Sequence, residues 1–113
     1  MLNIHNTNIY LTRGDTAYIQ IKLFDSEKNP FELQIGDVVR CQVKKQIDQD
    51  PVISGEIFYG ETDVVWGIKP SDTSGLKPGV YFWDCELERE NEDIFTFIPF
   101  SKFVVAQEVT RNE

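Results

Sequence analysis

Apolar and polar residues alternate through most of this chain, which predicts β-strands with one buried face. The clearest alternation follows the turn-rich residues 71–79, where the apolar positions are Tyr81, Trp83, Cys85 and Leu87. Similar alternation covers residues 16–24 and 39–45, and shorter apolar runs lie at residues 4–12, 52–59, 64–68, 94–100 and 103–109. Turn signals separate these runs about every 8–12 residues, which predicts about seven to nine short strands.

The same pattern predicts an all-β sandwich in one domain that spans residues 1–113. No segment shows sustained helical periodicity, although a single helical turn is expected at residues 70–76. A chain of 113 residues of which 41% are hydrophobic is large enough to bury a core of its own.

The charge balance restricts the partners. Nineteen acidic residues against eleven basic ones give a net charge of −8, which repels phosphate backbones, so nucleic acid is not an expected partner. No apolar run reaches the roughly 20 residues that cross a bilayer, and the first residues lack a signal peptide's basic and apolar regions. We therefore expect synthesis in a cytoplasm and no membrane partner.

The two cysteines, Cys41 and Cys85, do not have the spacing of metal ligands. Both occupy apolar positions of predicted strands, where an inter-sheet disulfide is one possibility. In a reducing cytosol, buried thiols are more often small hydrophobic residues, so we favour the reduced form and leave the bridge open.

Several motifs have a simple structural interpretation. Arg13-Gly14-Asp15 matches a tripeptide that adhesion receptors recognise, but a glycine bend before a strand explains it as well. Asp84, Glu86 and Glu88 lie on one side of a strand and are predicted to form a solvated acidic face. His5 is the only histidine and lies near the terminus, so we expect no catalytic residues, no metal and no cofactor.

Aromatic residues give the only indication of a binding surface. The alternation places Tyr18, Phe58, Tyr59 and Phe82 on outer faces or edges, where either a second sheet or loop covers them or they form a protein-binding patch. Trp66, with Tyr59 and Phe82, is a candidate for stacking on a sugar ring.

A family resemblance rests on the order of several segments rather than on any one motif. The segments are Leu11-Thr12-Arg13-Gly14-Asp15-Thr16, Phe24-Asp25-Ser26-Glu27-Lys28-Asn29-Pro30, Val39-Arg40-Cys41-Gln42-Val43-Lys44-Lys45, residues 69–87 and Phe103-Val104-Val105-Ala106-Gln107-Glu108-Val109-Thr110. Together they resemble small immunoglobulin-like phage and prophage proteins of Gram-positive bacteria, including the N-terminal domain of upper baseplate proteins.

The resemblance implies a single antiparallel immunoglobulin-like β-sandwich without enzymatic activity. It implies a structural role in a tail, baseplate or head–tail assembly, with other virion proteins as partners and with possible self-association. Since the chain stops at Glu113, it implies a stand-alone accessory subunit made in the bacterial cytoplasm and then built into the virion. Strand edges at residues 4–11 and 94–100 are candidates for these contacts.

A second interpretation is a carbohydrate- or cell-surface-binding module, because β-sandwiches carry both functions and the fold does not choose between them. It would use Tyr59, Trp66 and Phe82.

Overall fold

A computed structural model describes residues 2–109 and contains eight strands and one short helix within that range. The strands are β1 (Leu2–His5), β2 (Asn8–Thr12), β3 (Ala17–Lys22), β4 (Val38–Lys44), β5 (Glu56–Tyr59), β6 (Asp63–Ile68), β7 (Gly79–Glu88) and β8 (Ile94–Ala106). The helix α1 (Pro70–Thr73) lies between β6 and β7. The prediction of an all-β chain with seven to nine strands is confirmed for the described residues.

The strands form two sheets. One has five strands in the order β1-β2-β8-β7-β4, and the other has three in the order β3-β6-β5. Neighbouring strands are antiparallel except β2 and β8, which are parallel. The expectation of a purely antiparallel fold is therefore wrong at this pair. The chain leaves the first sheet after β2 and re-enters it at β4, and its last strand, β8, then runs beside β2 in the same direction.

The alternation seen in the sequence places one apolar face of each sheet against the other. The Trp66 ring of β6 stacks on the Trp83 ring of β7 with centroids 5.3 Å apart, and Phe103 of β8 meets Trp66 at 6.0 Å. Buried residues from both sheets form one core, which comprises Ile9, Leu11, Ala17, Ile19, Ile21, Leu23, Val39, Cys41, Val43, Ile53, Val64, Trp66, Ile68, Tyr81, Trp83, Cys85, Leu87, Phe103 and Val105.

Two runs that were predicted as separate strands form one long strand, β8. Its pairing with β7 shifts register between Trp83 and Glu86, which is a β-bulge or similar irregularity. Pro99 has no amide hydrogen to donate, and the Ser101 hydroxyl donates to the Pro99 carbonyl at 2.8 Å. The irregularity therefore lets the strand continue past the proline.

The helical turn connects the two sheets. Pro70 occupies its first turn, and the Lys69 N–H donates to the Asp72 carboxylate at 2.7 Å. Thr73 is fully buried, and its hydroxyl accepts a hydrogen bond from the Gly14 N–H at 2.7 Å. The predicted helical turn is thus present over Pro70–Thr73, and it anchors the bend that links β2 to β3.

Candidate functional site

The most exposed aromatic pair lies on the outer face of the three-stranded sheet. Tyr18 is 66% exposed and Phe58 is 46% exposed. Tyr18 lies opposite Gly67, and Phe58 lies opposite Val65 on the same face. We call these four residues, Tyr18, Phe58, Val65 and Gly67, the aromatic patch. Two of the predicted surface rings are therefore brought together.

Gly67 makes this patch possible because it leaves the space above β6 open. A Cβ atom at this position would lie 3.1 Å from Cε2 of Phe58 and 3.4 Å from Cε1 of Tyr18. Both rings therefore lie over the backbone of β6 at this glycine, an arrangement that compensates for a glycine within a sheet. Exposed aromatic rings grouped in this way are typical of protein-binding sites.

Polar groups border the aromatic patch. The Gln20 amide donates to the Asp63 carboxylate at 2.7 Å across β3 and β6. Lys22 lies opposite Asp63, and Glu56 lies opposite Gly67. An apolar centre with a polar border is the general arrangement of interaction surfaces.

Tyr59 is half exposed but does not belong to the aromatic patch. Its side chain lies on the opposite face of β5 from Phe58, because consecutive residues of a strand alternate. Its hydroxyl accepts a hydrogen bond from the Val39 N–H at 3.0 Å. Val39 lies on β4, the end strand of the five-stranded sheet. The Tyr59 hydroxyl therefore binds a backbone N–H at the edge of that sheet and connects the two sheets.

The prediction that Trp66 supplies a surface ring is wrong. Trp66 has 0% exposure, because it shares the inward face of β6 with Val64 and Ile68. Its ring stacks on Trp83, and its Nε1–H donates to the Ser54 carbonyl at 2.9 Å. The tryptophan belongs to the core.

A second aromatic pair lies on the outer face of the five-stranded sheet. Phe82 of β7 stacks on Phe100 of β8 with centroids 4.6 Å apart and the rings inclined by 15°. The pair borders a depression of about 230 Å³, which we call the outer groove; its lining includes Arg40, Gln42, Lys44, Ile47, Asp84 and Glu86. Phe100 was not predicted as a site residue, because its outward direction depends on the irregular β7–β8 register, which alternation does not reveal.

The predicted acidic face lies beside one basic side chain, Arg40 of β4. Glu86 lies opposite Arg40, and Asp84 lies opposite Gln42. Arg40 also forms a salt bridge of 2.9 Å with Glu88. The three carboxylates of β7 are partly exposed, and Arg40 balances part of their charge. Among the residues that the structure describes, no group of His, Cys, Asp and Glu is arranged to hold a metal ion.

The Arg13-Gly14-Asp15 motif is tied into the fold. The Arg13 guanidinium donates to both oxygens of Glu108, at 2.9 and 2.8 Å, and to the Leu76 carbonyl at 3.1 Å. Gly14 has a φ of 81°, a conformation that favours glycine. These contacts support the structural interpretation of the tripeptide, since its arginine serves to hold the segment that follows β8.

Cys41 and Cys85 are both buried and present as free thiols. They lie directly opposite each other on β4 and β7. A bridge between them would therefore lie within one sheet rather than between the two sheets, and the free thiols agree with the reduced form that the sequence favoured. A hydrogen bond with the Cys85 thiol, followed by burial, raises the pKa of Cys41 far above its ordinary value. Its thiol is thus held in the neutral, unreactive form.

Comparisons of the chain with protein-family models, with curated proteins and with solved structures find no match. No helix among residues 2–109 is long and apolar enough to cross a membrane.

Proposed function

We propose that this protein is a non-enzymatic protein-interaction module of a phage or prophage particle, within a tail, baseplate or head–tail assembly. The proposal combines the family resemblance of the sequence with one structural observation, the aromatic patch around Gly67. Two exposed rings over a glycine, bordered by polar groups, present a preformed apolar surface that favours contact with another protein. The partners we propose are other virion proteins, and the protein would reach the virion after synthesis in the host cytoplasm.

The proposal includes an immunoglobulin-like fold, and the strand order supports it. An immunoglobulin sandwich places strands B, E and D in one sheet and C, F and G in the other. If β3 to β8 are taken as B to G, the observed orders β3-β6-β5 and β4-β7-β8 follow that arrangement. The hairpin of β1 and β2 would then extend the sheet that contains G.

The proposed partners are consistent with the surface chemistry. A net charge of −8 disfavours phosphate-rich ligands, so nucleic acid is not a proposed partner. The charged groups nearest the aromatic patch, Lys22, Asp63 and Glu56, carry both signs and would fix the orientation of a partner rather than attract it from a distance.

The test is whether the protein is found in particles. An epitope-tagged chain would be expressed in the lysogen that encodes it, and induced virions would be purified by density gradient and analysed by immunoblot and quantitative mass spectrometry. We expect a constant copy number per particle for the wild type. Virions that lack the protein would overturn the proposal.

A pair of double variants locates the contact. Tyr18→Ser/Phe58→Ser removes the aromatic patch, while Phe82→Ser/Phe100→Ser removes an equivalent pair from the other sheet. Both should stay folded by circular dichroism, because all four rings lie on outer faces. We expect that only the first variant is lost from particles. Equal incorporation of both variants would contradict the assignment of the aromatic patch.

The outer groove favours one alternative function, a carbohydrate- or cell-surface-binding module. Its stacked Phe82 and Phe100 rings lie beside carboxylate, amide and guanidinium groups, a combination of aromatic and polar groups that suits a small ligand such as a sugar. The test is a glycan array followed by calorimetry, with Phe82→Ala as the diagnostic variant. Binding that is lost in Phe82→Ala would favour this alternative, and a blank array would exclude it. Trp66→Ala is unsuitable, because it removes a core residue.

A further inference from the structure

Among the strands of residues 2–109, β3 pairs only with β6, so one edge of the three-stranded sheet is open along β3. The N–H of Leu23, directly after β3, donates to the Thr62 carbonyl at 3.0 Å, so odd-numbered residues of β3 face β6. In an antiparallel pair the intervening residues face the other way. The N–H and C=O groups of Tyr18, Gln20 and Lys22 therefore point away from the sheet, where another strand could bind them.

Beside this edge the two sheets do not close over the core. The five-stranded sheet extends further because it includes β1, whose Ile4 lies next to Ile9 on the inner face. Ile9 is fully buried, but Ile4 is 44% exposed. A cleft of about 180 Å³ opens there between Ile4, Ile9 and Ile98 on one side and Ile19 and Ile21 of β3 on the other. One more strand beside β3 would cover it.

We propose that a second copy of this chain supplies that strand, by antiparallel pairing of the two β3 strands about a two-fold axis. The axis passes between Gln20 and Gln20 of the partner subunit, so the outward backbone groups of both residues bond to each other. The two three-stranded sheets then form one continuous six-stranded sheet. This is an isologous interface, in which both copies use the same surface.

The side chains of β3 favour this register. Around the axis, Tyr18 lies opposite the partner's Lys22, and Lys22 lies opposite the partner's Tyr18. Each pair places an ammonium group beside an aromatic ring, a favourable contact, and no like charges face each other along the strand. The two Gln20 amides have matching donors and acceptors.

The inner face is also complementary. Ile19 lies opposite the partner's Ile21, so the added strand continues the apolar surface that lines the cleft. Each copy thereby covers the opening of the other. This inference rests on the backbone and side chains of β3; it shares only Tyr18 with the aromatic patch and does not require the proposed role in a phage particle.

The first test blocks the open edge. Gln20→Pro removes an N–H that faces away from β6, so the intramolecular ladder is retained while the edge can no longer pair. The matched control is Thr96→Pro on β8. The Arg89 N–H donates to the Asp93 carbonyl and Leu87 pairs with Phe95, so Asp93 and Phe95 direct their backbone groups toward β7. The intervening residues face the other way, and the Thr96 N–H therefore also points outward. Circular dichroism would verify that both variants fold.

Sedimentation equilibrium from about 1 µM to about 1 mM would measure self-association of the purified chain. We expect a wild-type dimer, a dissociation constant raised at least about tenfold in Gln20→Pro and an unchanged constant in Thr96→Pro. A wild-type chain that stays monomeric throughout this range would overturn the proposal. So would a dimer that Gln20→Pro does not weaken.

The second test addresses the register. Tyr18→Lys places a lysine opposite the partner's Lys22 twice in the dimer, so we expect weaker association. The double variant Tyr18→Lys/Lys22→Tyr exchanges the two side chains and restores both pairs, so its dissociation constant should return to within about threefold of the wild type. A double variant that is as weak as the single one would overturn the two-fold register.

Discussion

At the scale of single residues, Trp66 shows that the face of a strand on which a residue lies determines whether its side chain is buried or exposed. The ring has no exposed area, stacks on Trp83 and donates to the Ser54 carbonyl. Trp66→Phe removes the donor and part of the ring, so we expect a loss of about 2–3 kcal/mol in the free energy of unfolding. Urea denaturation would measure it.

The control for this variant is Phe58→Leu, a change in a large ring that is 46% exposed. Because its surroundings are open to water, we expect a change below about 1 kcal/mol. Similar losses in both variants would contradict the placement of Trp66 in the core.

The thiol of Cys41 predicts how stability depends on alkaline pH. Its pKa is raised in the folded protein by the hydrogen bond with Cys85 and by burial, so the folded state keeps its proton while the unfolded state loses it. The stabilisation is complete below the unfolded thiol's pKa, near 8.5, and declines as the pH rises above it, at most about 1.4 kcal/mol per pH unit.

Urea denaturation of the wild type and of Cys41→Ala between about pH 7 and pH 10 would check this. The variant is less stable at pH 7 because it leaves a cavity. The difference between the two proteins should shrink above about pH 8.5. A difference that is constant with pH would contradict the raised pKa.

At the scale of elements, Tyr59 connects an end strand of one sheet to an end strand of the other. Its hydroxyl accepts from the Val39 N–H, which lies on the outer edge of β4. Tyr59→Phe leaves that N–H without this acceptor, so we expect a loss of about 1 kcal/mol. Tyr18→Phe is the control, because its ring is 66% exposed, and a loss below about 0.5 kcal/mol is expected there.

Hydrogen exchange would separate this local effect from a global one. The Val39 amide should exchange faster in Tyr59→Phe than the amides of β7, since only the edge of β4 loses a contact. Uniform acceleration of all strands would show that Tyr59 acts on the whole core instead.

The alternation within a strand was predictable, but the pairing between strands was not. Residues 79–88 alternate so regularly that the buried positions Tyr81, Trp83, Cys85 and Leu87 follow directly from the sequence. The parallel pairing of β2 with β8 depends on contacts between residues about 95 positions apart, such as Thr7 with Ser101. The alternation of apolar and polar residues within a strand does not indicate which strands pair. For the same reason, an inter-sheet contact between Cys41 and Cys85 stayed one possibility until the pairing of β4 with β7 placed them side by side in one sheet.

In the candidate site, too, the direction of most side chains was predictable, whereas the pairing of its strands was not. Tyr18 and Phe58 were predicted as outward rings from their own strands, whereas their meeting over Gly67 depends on how β3 and β5 flank β6. Trp66 was misplaced because β6 is short and its residues Val64, Val65 and Trp66 are all apolar. The sequence is therefore equally compatible with Trp66 on the buried face or on the exposed face of the strand. Only the neighbouring strands decide which face is buried.

At the scale of the whole molecule, net charge opposes the proposed β3 dimer. Each copy carries a charge of −8, so association brings two negative molecules together. The Debye length falls from about 10 Å at 0.1 M salt to about 3 Å at 1 M, which screens this repulsion. We therefore expect the dissociation constant of the wild-type dimer to fall by about three- to tenfold over that range.

A charge variant isolates this effect from the contacts of β3 themselves. Asp48 and Asp50 lie in the loop between β4 and β5, away from the β3 edge. Each Asp→Lys replacement adds two positive charges, so Asp48→Lys/Asp50→Lys changes the net charge from −8 to −4. Sedimentation equilibrium should then show a tighter dimer at 0.1 M salt and a weaker dependence on salt. A dimer that dissociates as salt is added would mean that direct charge contacts dominate the interface, which contradicts the pairing of Lys22 with an uncharged ring.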